Sequence, residues 1–350
     1  ENSKRWLAGS SDIIFSFFEL TTTRMTTSSY HHCLLHVLLL LLTQTQTQTL
    51  ALATTPPHPP PRRSYLITGA NKGQGLALCR RILSEFDDTH VFLCSRDVEK
   101  GHLAKSSLLS SLRDPSHPNP FDESHIDVLS LDVTSQSSVD AAASRVRSIL
   151  TSRPQSPKFT GVISNAGILW GYPLPRLLDV CATGVKRVLD AFAPLLRCDG
   201  DGDDDDDDSK RIVVVTSGLS PLMMSYARPS HRDALSSGDG TWDDAIRPRM
   251  DQCLEAHVSA ENAPLSTRIE KFDRIGFPGG PFAEAAPDFH MYGLAKMFGD
   301  AYMKIVARDY PTVKVASVDP GLVYTDLILR MPKYRGKERG ETTAVSPEEG

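Results

Sequence analysis

Eight consecutive residues, Thr68-Gly69-Ala70-Asn71-Lys72-Gly73-Gln74-Gly75, restrict what this chain can fold into more than any other stretch. A short apolar run, Tyr65 to Thr68, leads into them, and a run with helical spacing, Leu76 to Phe86, leaves them. Glycines in such a strand-to-helix turn let the backbone reverse tightly and approach a bound group, which the free amides at the helix start then face. A glycine-rich turn alone means little. Between a strand and a helix it is the first βα turn of a dinucleotide-binding unit, with Gly69, Asn71, Lys72, Gly73 and Gly75 as the contacting positions.

The rest of the chain keeps that rhythm. Strands are predicted at Tyr65 to Thr68, Val91 to Ser95, Ile126 to Leu131, Gly161 to Ser164, Ile212 to Thr216 and Val313 to Val318. Helical spacing falls between them at Leu76 to Phe86, Val98 to Leu112, Ser135 to Leu150, Arg176 to Leu196 and Phe289 to Ala307. Strands alternating with helices of this length need right-handed crossovers, hence a parallel sheet covered on both faces. The expected fold is α/β: a Rossmann-type, doubly wound parallel sheet in a single domain spanning residues 63–350.

Three stretches break the rhythm. Residues 1–62 are rich in Thr, Gln, Ser and Pro around one apolar block, Cys33 to Leu42, too short to span a bilayer but suited to the core of a targeting sequence. Read from Met25, the small residues Ala51-Leu52-Ala53 would form a cleavage site. A signal or organelle presequence and a disordered leader both remain open. The compartment is correspondingly open: cytoplasmic, or one reached through this leader. Asp199, Asp201 and Asp203 to Asp208 form an acidic loop, 199–208, that lacks the alternating ligand geometry of a calcium loop. Residues 218–288 form a long insertion with several prolines and little periodicity before Asp251 to Val258, as expected of a functional lid or an unstructured segment.

The formal charge of −5 resides in that acidic loop, and without its eight aspartates the chain is close to neutral. No basic stripe is present to follow a nucleic acid. The six cysteines, Cys33, Cys79, Cys94, Cys181, Cys198 and Cys253, lack CxxC spacing and read as free thiols; no metal site is expected.

Downstream, Tyr292-Gly293-Leu294-Ala295-Lys296 places a phenol and an amine four residues apart, on one helix face. An ammonium there is expected to hold the phenol's pKa down, so that it exchanges protons near neutral pH. The second strand ends in Ser95-Arg96, where a carboxylate would mark a ribose contact. A guanidinium there, with Lys72, suits the 2′-phosphate of NADP; the plain alternative for Arg96 is a surface arginine paired with Asp97.

With these residues in hand, the chain resembles the short-chain dehydrogenase/reductase family from about Tyr65 to Gly350. Thr68-Gly69-x-x-x-Gly73-x-Gly75 is similar to the family's cofactor turn, and Leu131-Asp132-Val133 to the segment whose aspartate contacts adenine. Asn165-Ala166-Gly167 resembles the element beside the cofactor in the central sheet. Ser217, Tyr292 and Lys296 match the catalytic set, and Asp319-Pro320-Gly321-Leu322-Val323-Tyr324-Thr325 resembles the segment against the nicotinamide. Pro320, Gly321, Val323 and Thr325 are the implied contacts. Asn71-Lys72-Gly73, Ser95-Arg96-Asp97, the long insertion and Ser346-Pro347-Glu348-Glu349-Gly350 point to the carbonyl reductase branch.

The resemblance implies an NADPH-dependent reductase of a small carbonyl substrate (ketone, aldehyde or quinone), monomeric because the insertion covers the helix face used for pairing. Tyr292 would donate the proton, Lys296 would bind the nicotinamide ribose, and Ser217 would hold the carbonyl oxygen. No membrane span is implied in the mature domain. Departures are also visible. Cys181 occupies the place of the family's relay asparagine, the stretch between Asn165 and Cys181 is several residues short, and the C-terminal seventh strand would lie beyond Gly350. They motivate an alternative, a noncatalytic nucleotide-binding regulator that retains the fold.

Overall fold

Six parallel strands form the centre of the molecule: β1 (Arg63–Ile67), β2 (Thr89–Ser95), β3 (Ile126–Ser130), β4 (Lys158–Ser164), β5 (Arg211–Val215) and β6 (Lys314–Val318). Their order in the sheet is β3-β2-β1-β4-β5-β6. The computed structural model describes residues 61–347 except 87, 113–122, 153–156, 198–209, 324, 332, 334 and 342–343. The leader over 1–60, the acidic loop 199–208, Cys33, Cys198, Tyr324 and residues 348–350 lie outside the described residues.

Strand residues alternate between two apolar layers, as the two-residue pleat requires. Tyr65, Ile67, Val91, Leu93, Val213 and Val215 face α1 (Gly73–Glu85) and α2 (Val98–Leu112), meeting Cys79, Ile82 and Leu108. Leu66, Phe92, Val162, Ile212 and Val214 face the opposite layer. There they meet α3 (Gln136–Thr151), the short α4 (Leu174–Leu178), α5 (Gly184–Phe192) and, after the insertion, the helix that bears Tyr292. β2 is buried along its whole length, as a parallel strand covered on both faces must be. The expected doubly wound single domain is what forms, with strand ends displaced from their predicted positions by at most a few residues.

Two expectations need correction. The helix predicted over Arg176 to Leu196 begins at Leu174 and is interrupted by a π-helical turn, Asp179–Thr183, before α5 resumes and a 3₁₀ turn, Ala193–Arg197, ends it. The insertion is mostly helical rather than unstructured. It contains α6 (Leu219–Tyr226), α7 (Pro229–Ser236), a second π turn (Trp242–Ile246), α8 (Arg247–Val258), α9 (Leu265–Ile275) and α10 (Pro281–Ala285). Pro229, Pro248 and Pro281 sit within the first two positions of α7, α8 and α10, where the missing N–H costs nothing, so they start helices instead of breaking them.

The insertion returns into α11 (Pro287–Asp309), 23 residues long and buried from Tyr292 to Gly299 without interruption. Two glycines let neighbouring elements approach this helix. A Cβ at Gly293 would lie 2.7 Å from Met223 Cγ on α6, and one at Gly299 would lie 2.5 Å from the carbonyl oxygen of Cys181 on the π turn. Beyond β6, α12 (Asp326–Leu329) begins directly after Thr325. Among the described residues no helix is long and apolar enough to cross a membrane.

Candidate active site

Strand order reverses at β1, whose neighbours β2 and β4 leave toward opposite edges. Ligands of doubly wound sheets bind at the carboxyl ends of the strands beside such a reversal. A cleft of about 560 Å³ opens there. The turn after β1 supplies Gly69, Asn71, Lys72, Gly73 and Gly75, and the ends of β2 and β3 supply Arg96 and Asp132. Asn165, Ala166 and Gly167 follow β4, Ser217 follows β5, and Pro320, Gly321, Val323 and Thr325 follow β6. Tyr292 and Lys296 enter from α11. Every candidate catalytic and cofactor-contacting residue read from the sequence therefore borders one space.

The glycine turn is shaped by what a side chain would displace. Gly69 and Gly73 have φ of 65° and 55°, left-handed values that favour glycine. At Gly75 a Cβ would sit 2.6 Å from both the Gly69 carbonyl oxygen and Asn165 Nδ2. Asn165 closes the turn from the β4 side. Its Nδ2 donates to the Thr68 carbonyl at 2.9 Å, while the Asn165 and Ala166 amides both donate to Thr68 Oγ1 at 2.9 Å. Asn165 and Thr68 thus bolt β4 to β1 at the floor of the cleft. The turn fits a pyrophosphate: Gly69 and Gly73 carry no side chain at its left-handed positions, and it opens directly into the amino end of α1.

Charge around that turn is mixed. Ser95, at the end of β2, is buried and donates its hydroxyl to the Asp97 carbonyl at 2.6 Å. Asp97 itself pairs with Lys100 at 3.0 Å rather than with Arg96, so the plain alternative for that arginine is not what forms. Arg96 is exposed at the cleft edge. Lys72 is instead ion-paired with Asp326 of α12, both side chains being well exposed. Asp132 accepts from the Thr134 amide at 2.9 Å and its hydroxyl at 2.7 Å. Burial pushes that carboxyl up, but these donors with Arg96 and Arg176 outweigh it and hold it below the usual carboxylate range.

Lys296 is buried and donates from Nζ to the Val215 carbonyl at 2.7 Å. Burial pulls the ammonium's pKa down, yet Tyr292, Cys181, Asp300 and Asp319 carry it above its ordinary value. Lys296 is a fixed cation. Tyr292 behaves otherwise than the sequence suggested. Burial pushes its phenol up to about 12, and the opposing pull of Lys296 and the Ser217 hydroxyl does not offset this. Solvent exclusion is stronger here than one favourable charge, so the phenol is neutral and protonated at physiological pH. A protonated phenol beside a fixed ammonium can give its proton to an oxygen whose basicity rises above its own.

Cys181 lies on the π turn, fully buried, with Sγ 3.6 Å from the Ile168 carbonyl. Local π turns commonly mark functional sites. Residues that sequence reasoning missed complete the cleft: Ile168, Leu169, Leu219, Phe289, Leu327 and Ile328 give it an apolar flank, and Tyr172 accepts a bond from Arg330 at 2.5 Å on the rim. Phe289 was findable, since it precedes Tyr292 by one helical turn. The loop residues carry no periodic signal that would have exposed them.

No family model matches the chain. Among curated proteins it is 26% identical over 308 residues to short-chain dehydrogenase/reductase 1 of Saponaria officinalis, covering 82% of this chain and 88% of that one. It is 25% identical over 294 residues to the (+)-neomenthol dehydrogenase of Arabidopsis thaliana, covering 76% and 84%. Among solved structures, the menthone neomenthol reductase of Mentha piperita superposes with a TM-score of 0.54 at 20% identity, covering 74% and 89%, a likeness of fold. Over most of its length the chain is thus similar to curated dehydrogenases and reductases, one of them a short-chain dehydrogenase/reductase by name, and its ordered motifs gather in one cleft of a doubly wound fold.

Proposed function

We propose that this oxidoreductase uses NADPH to reduce the carbonyl of a small, largely apolar ketone, aldehyde or quinone to an alcohol. The observation that carries this reading is the convergence of Ser217, a protonated Tyr292 and a cationic Lys296 on the cleft that the glycine turn also lines. The nicotinamide cofactor supplies the hydride when bound. Gly69, Gly73 and Gly75 would pass its pyrophosphate close to the backbone, and Arg96 with Lys72 would meet a 2′-phosphate. Asp132 would meet the adenine, while Pro320, Gly321, Val323 and Thr325 would bound the nicotinamide.

In this chemistry the carbonyl carbon gains the hydride and its oxygen becomes an alkoxide. Ser217 holds that oxygen, and Tyr292 transfers its proton to it because an alkoxide is far more basic than the phenolate left behind. Lys296 stabilises the phenolate across the ring, its Nζ lying 5.8 Å from the ring centroid. Ile168, Leu169, Leu219 and Phe289 would hold an apolar skeleton. Assignment to the carbonyl reductase branch, and a monomeric state through insertion helices covering α11, belong to the same reading.

NADPH oxidation against a panel of ketones, aldehydes and quinones tests it, with Tyr292→Phe as control. Turnover lost in the variant supports the reductase. Tight NADPH binding with no turnover by the native chain would instead favour the regulator, which Cys181 in the relay position motivates.

A further inference from the structure

One titratable side chain beside the catalytic group has no part in the chemistry above. Asp300 follows Lys296 by one helical turn and shares its face of α11. Its Oδ2 accepts from Thr216 Oγ1 at 2.6 Å and from Ser220 Oγ, while its Oδ1 is buried with no hydrogen-bond partner among the described residues. Thr216 and Ser220 are both buried, and they bracket Ser217 in sequence. One carboxylate oxygen therefore grips the chain on either side of the serine.

A half-buried carboxylate with one oxygen shut off from solvent is an expensive way to make a clamp. Two hydroxyl donors could be met as well by an amide oxygen, without taking a charge out of water or leaving one oxygen unmatched. What the carboxylate adds is a negative charge that acts on Lys296 from one helical turn away. The charged groups acting on it are Lys296 and Lys304 of α11; from β5 and α6 it meets the hydroxyls of Thr216 and Ser220. Asp319, at the end of β6, acts on Lys296 from a different strand.

We propose that Asp300 is a positioning residue of the hydride-transfer site, fixing Ser217 through Thr216 and Ser220 and keeping Lys296 cationic through its own charge. This rests on the reductase reading for its catalytic consequence, but its electrostatic part does not. Burial raises the Asp300 carboxyl above its ordinary range and the two hydroxyl donors pull it back. Those donors thus serve twice. They hold the serine loop, and they oppose the rise that burial imposes on the carboxyl that acts on Lys296.

Asp300→Asn keeps an acceptor for both hydroxyls and removes the charge. Expected are an unchanged NADPH affinity within about three-fold, kcat for carbonyl reduction lowered about ten-fold with KM little altered, and the alkaline limb of the rate profile moved to lower pH. Independently of turnover, ¹⁵N-lysine NMR of the cofactor-free protein, with Lys296 assigned from Lys296→Met, should show its ionisation moved to lower pH. Should Asp300→Asn fail to fold, Asp300→Ser, which also removes the charge, is read in the same way: it should move Lys296 in the same direction. An unmoved Lys296 ionisation in the variant that folds overturns the proposal, whatever happens to the rate. A native chain without carbonyl turnover, in which Lys296 still shifts, would sink the reductase reading and leave the electrostatic link standing.

Discussion

The ammonium of Lys296 donates to the carbonyl of Val215, the last residue of β5, two positions before Ser217. The helix that carries the proton donor is thereby tied to the strand that presents the serine, and the two catalytic elements move as one body.

Removing that tie should cost both stability and chemistry. Lys296→Met leaves the buried Val215 carbonyl unmatched, worth about 1–3 kcal/mol in urea unfolding. It also deprives the phenolate of its counter-charge, so kcat should fall by roughly 10²–10⁴-fold. A variant unfolding like the native chain and retaining its rate would separate Lys296 from both tasks.

Tyr292 should resist ionisation. Burial pushes its phenol up to about 12, above the ordinary tyrosine value. In the cofactor-free protein, an ultraviolet titration of the native chain minus Tyr292→Phe should therefore show no phenolate from this residue at pH 10. A midpoint near neutrality would mean that Lys296 outweighs burial after all.

The exposed pair between Lys72 and Asp326 competes with a phosphate for the same ammonium. Exposed pairs are worth about 0–1 kcal/mol, so Asp326→Asn should tighten NADPH binding by at most about five-fold. Arg96→Ala should weaken NADPH by about ten-fold while leaving NADH nearly unchanged. Calorimetry with both cofactors decides, and equal losses for the two would show that neither cation reads the 2′-phosphate.

His290 gives the fold an acid sensitivity. It is buried, edge-on to Phe272, with Nε2 3.3 Å from the Phe277 carbonyl, and burial lowers its pKa to about 4. The unfolded chain binds a proton at this imidazole near pH 6.5 and the folded chain does not, so its contribution is complete above pH 6.5. Stability then declines as pH falls toward 4, by up to about 3 kcal/mol. Urea midpoints at pH 5 and 7.5 should differ less in His290→Gln than in the native protein.

Gly75→Ala should be poorly tolerated. The new methyl would meet the Gly69 carbonyl and Asn165 Nδ2 at 2.6 Å, so the turn must open. A loss of about 1–3 kcal/mol is expected, together with loss of NADPH binding. Full cofactor affinity in this variant would show that the turn yields without cost.

Most of the chemistry was legible because it hangs on short motifs at strand ends. Gly69, Gly73, Gly75, Asn165, Ser217 and the Tyr292–Lys296 pair each follow an apolar run that announces its own strand or helix. The insertion was misread for a physical reason. Its prolines break a helix in the interior but start one at the first turn, and sequence alone did not say which position each would take. The π turn at Cys181 was invisible, since one added residue per turn leaves a helical pattern nearly intact. Asp300 stood at a readable spacing from Lys296. What it lacked in the sequence was evidence of burial, and only packing against Thr216 and Ser220 gives it meaning.

Gly293 and Gly299 have a mechanical consequence. Through them α11 meets the Met223 side chain of α6 and the backbone of the π turn at close range, so the helix cannot roll without colliding with one or the other. Widening the apolar flank by rotating α11 would also drag Lys296 off Val215. Changes in substrate range are therefore confined to parts that can shift alone, the stretch around Ile168 to Tyr172 and the residues after Thr325, while the proton donor stays in a fixed mount.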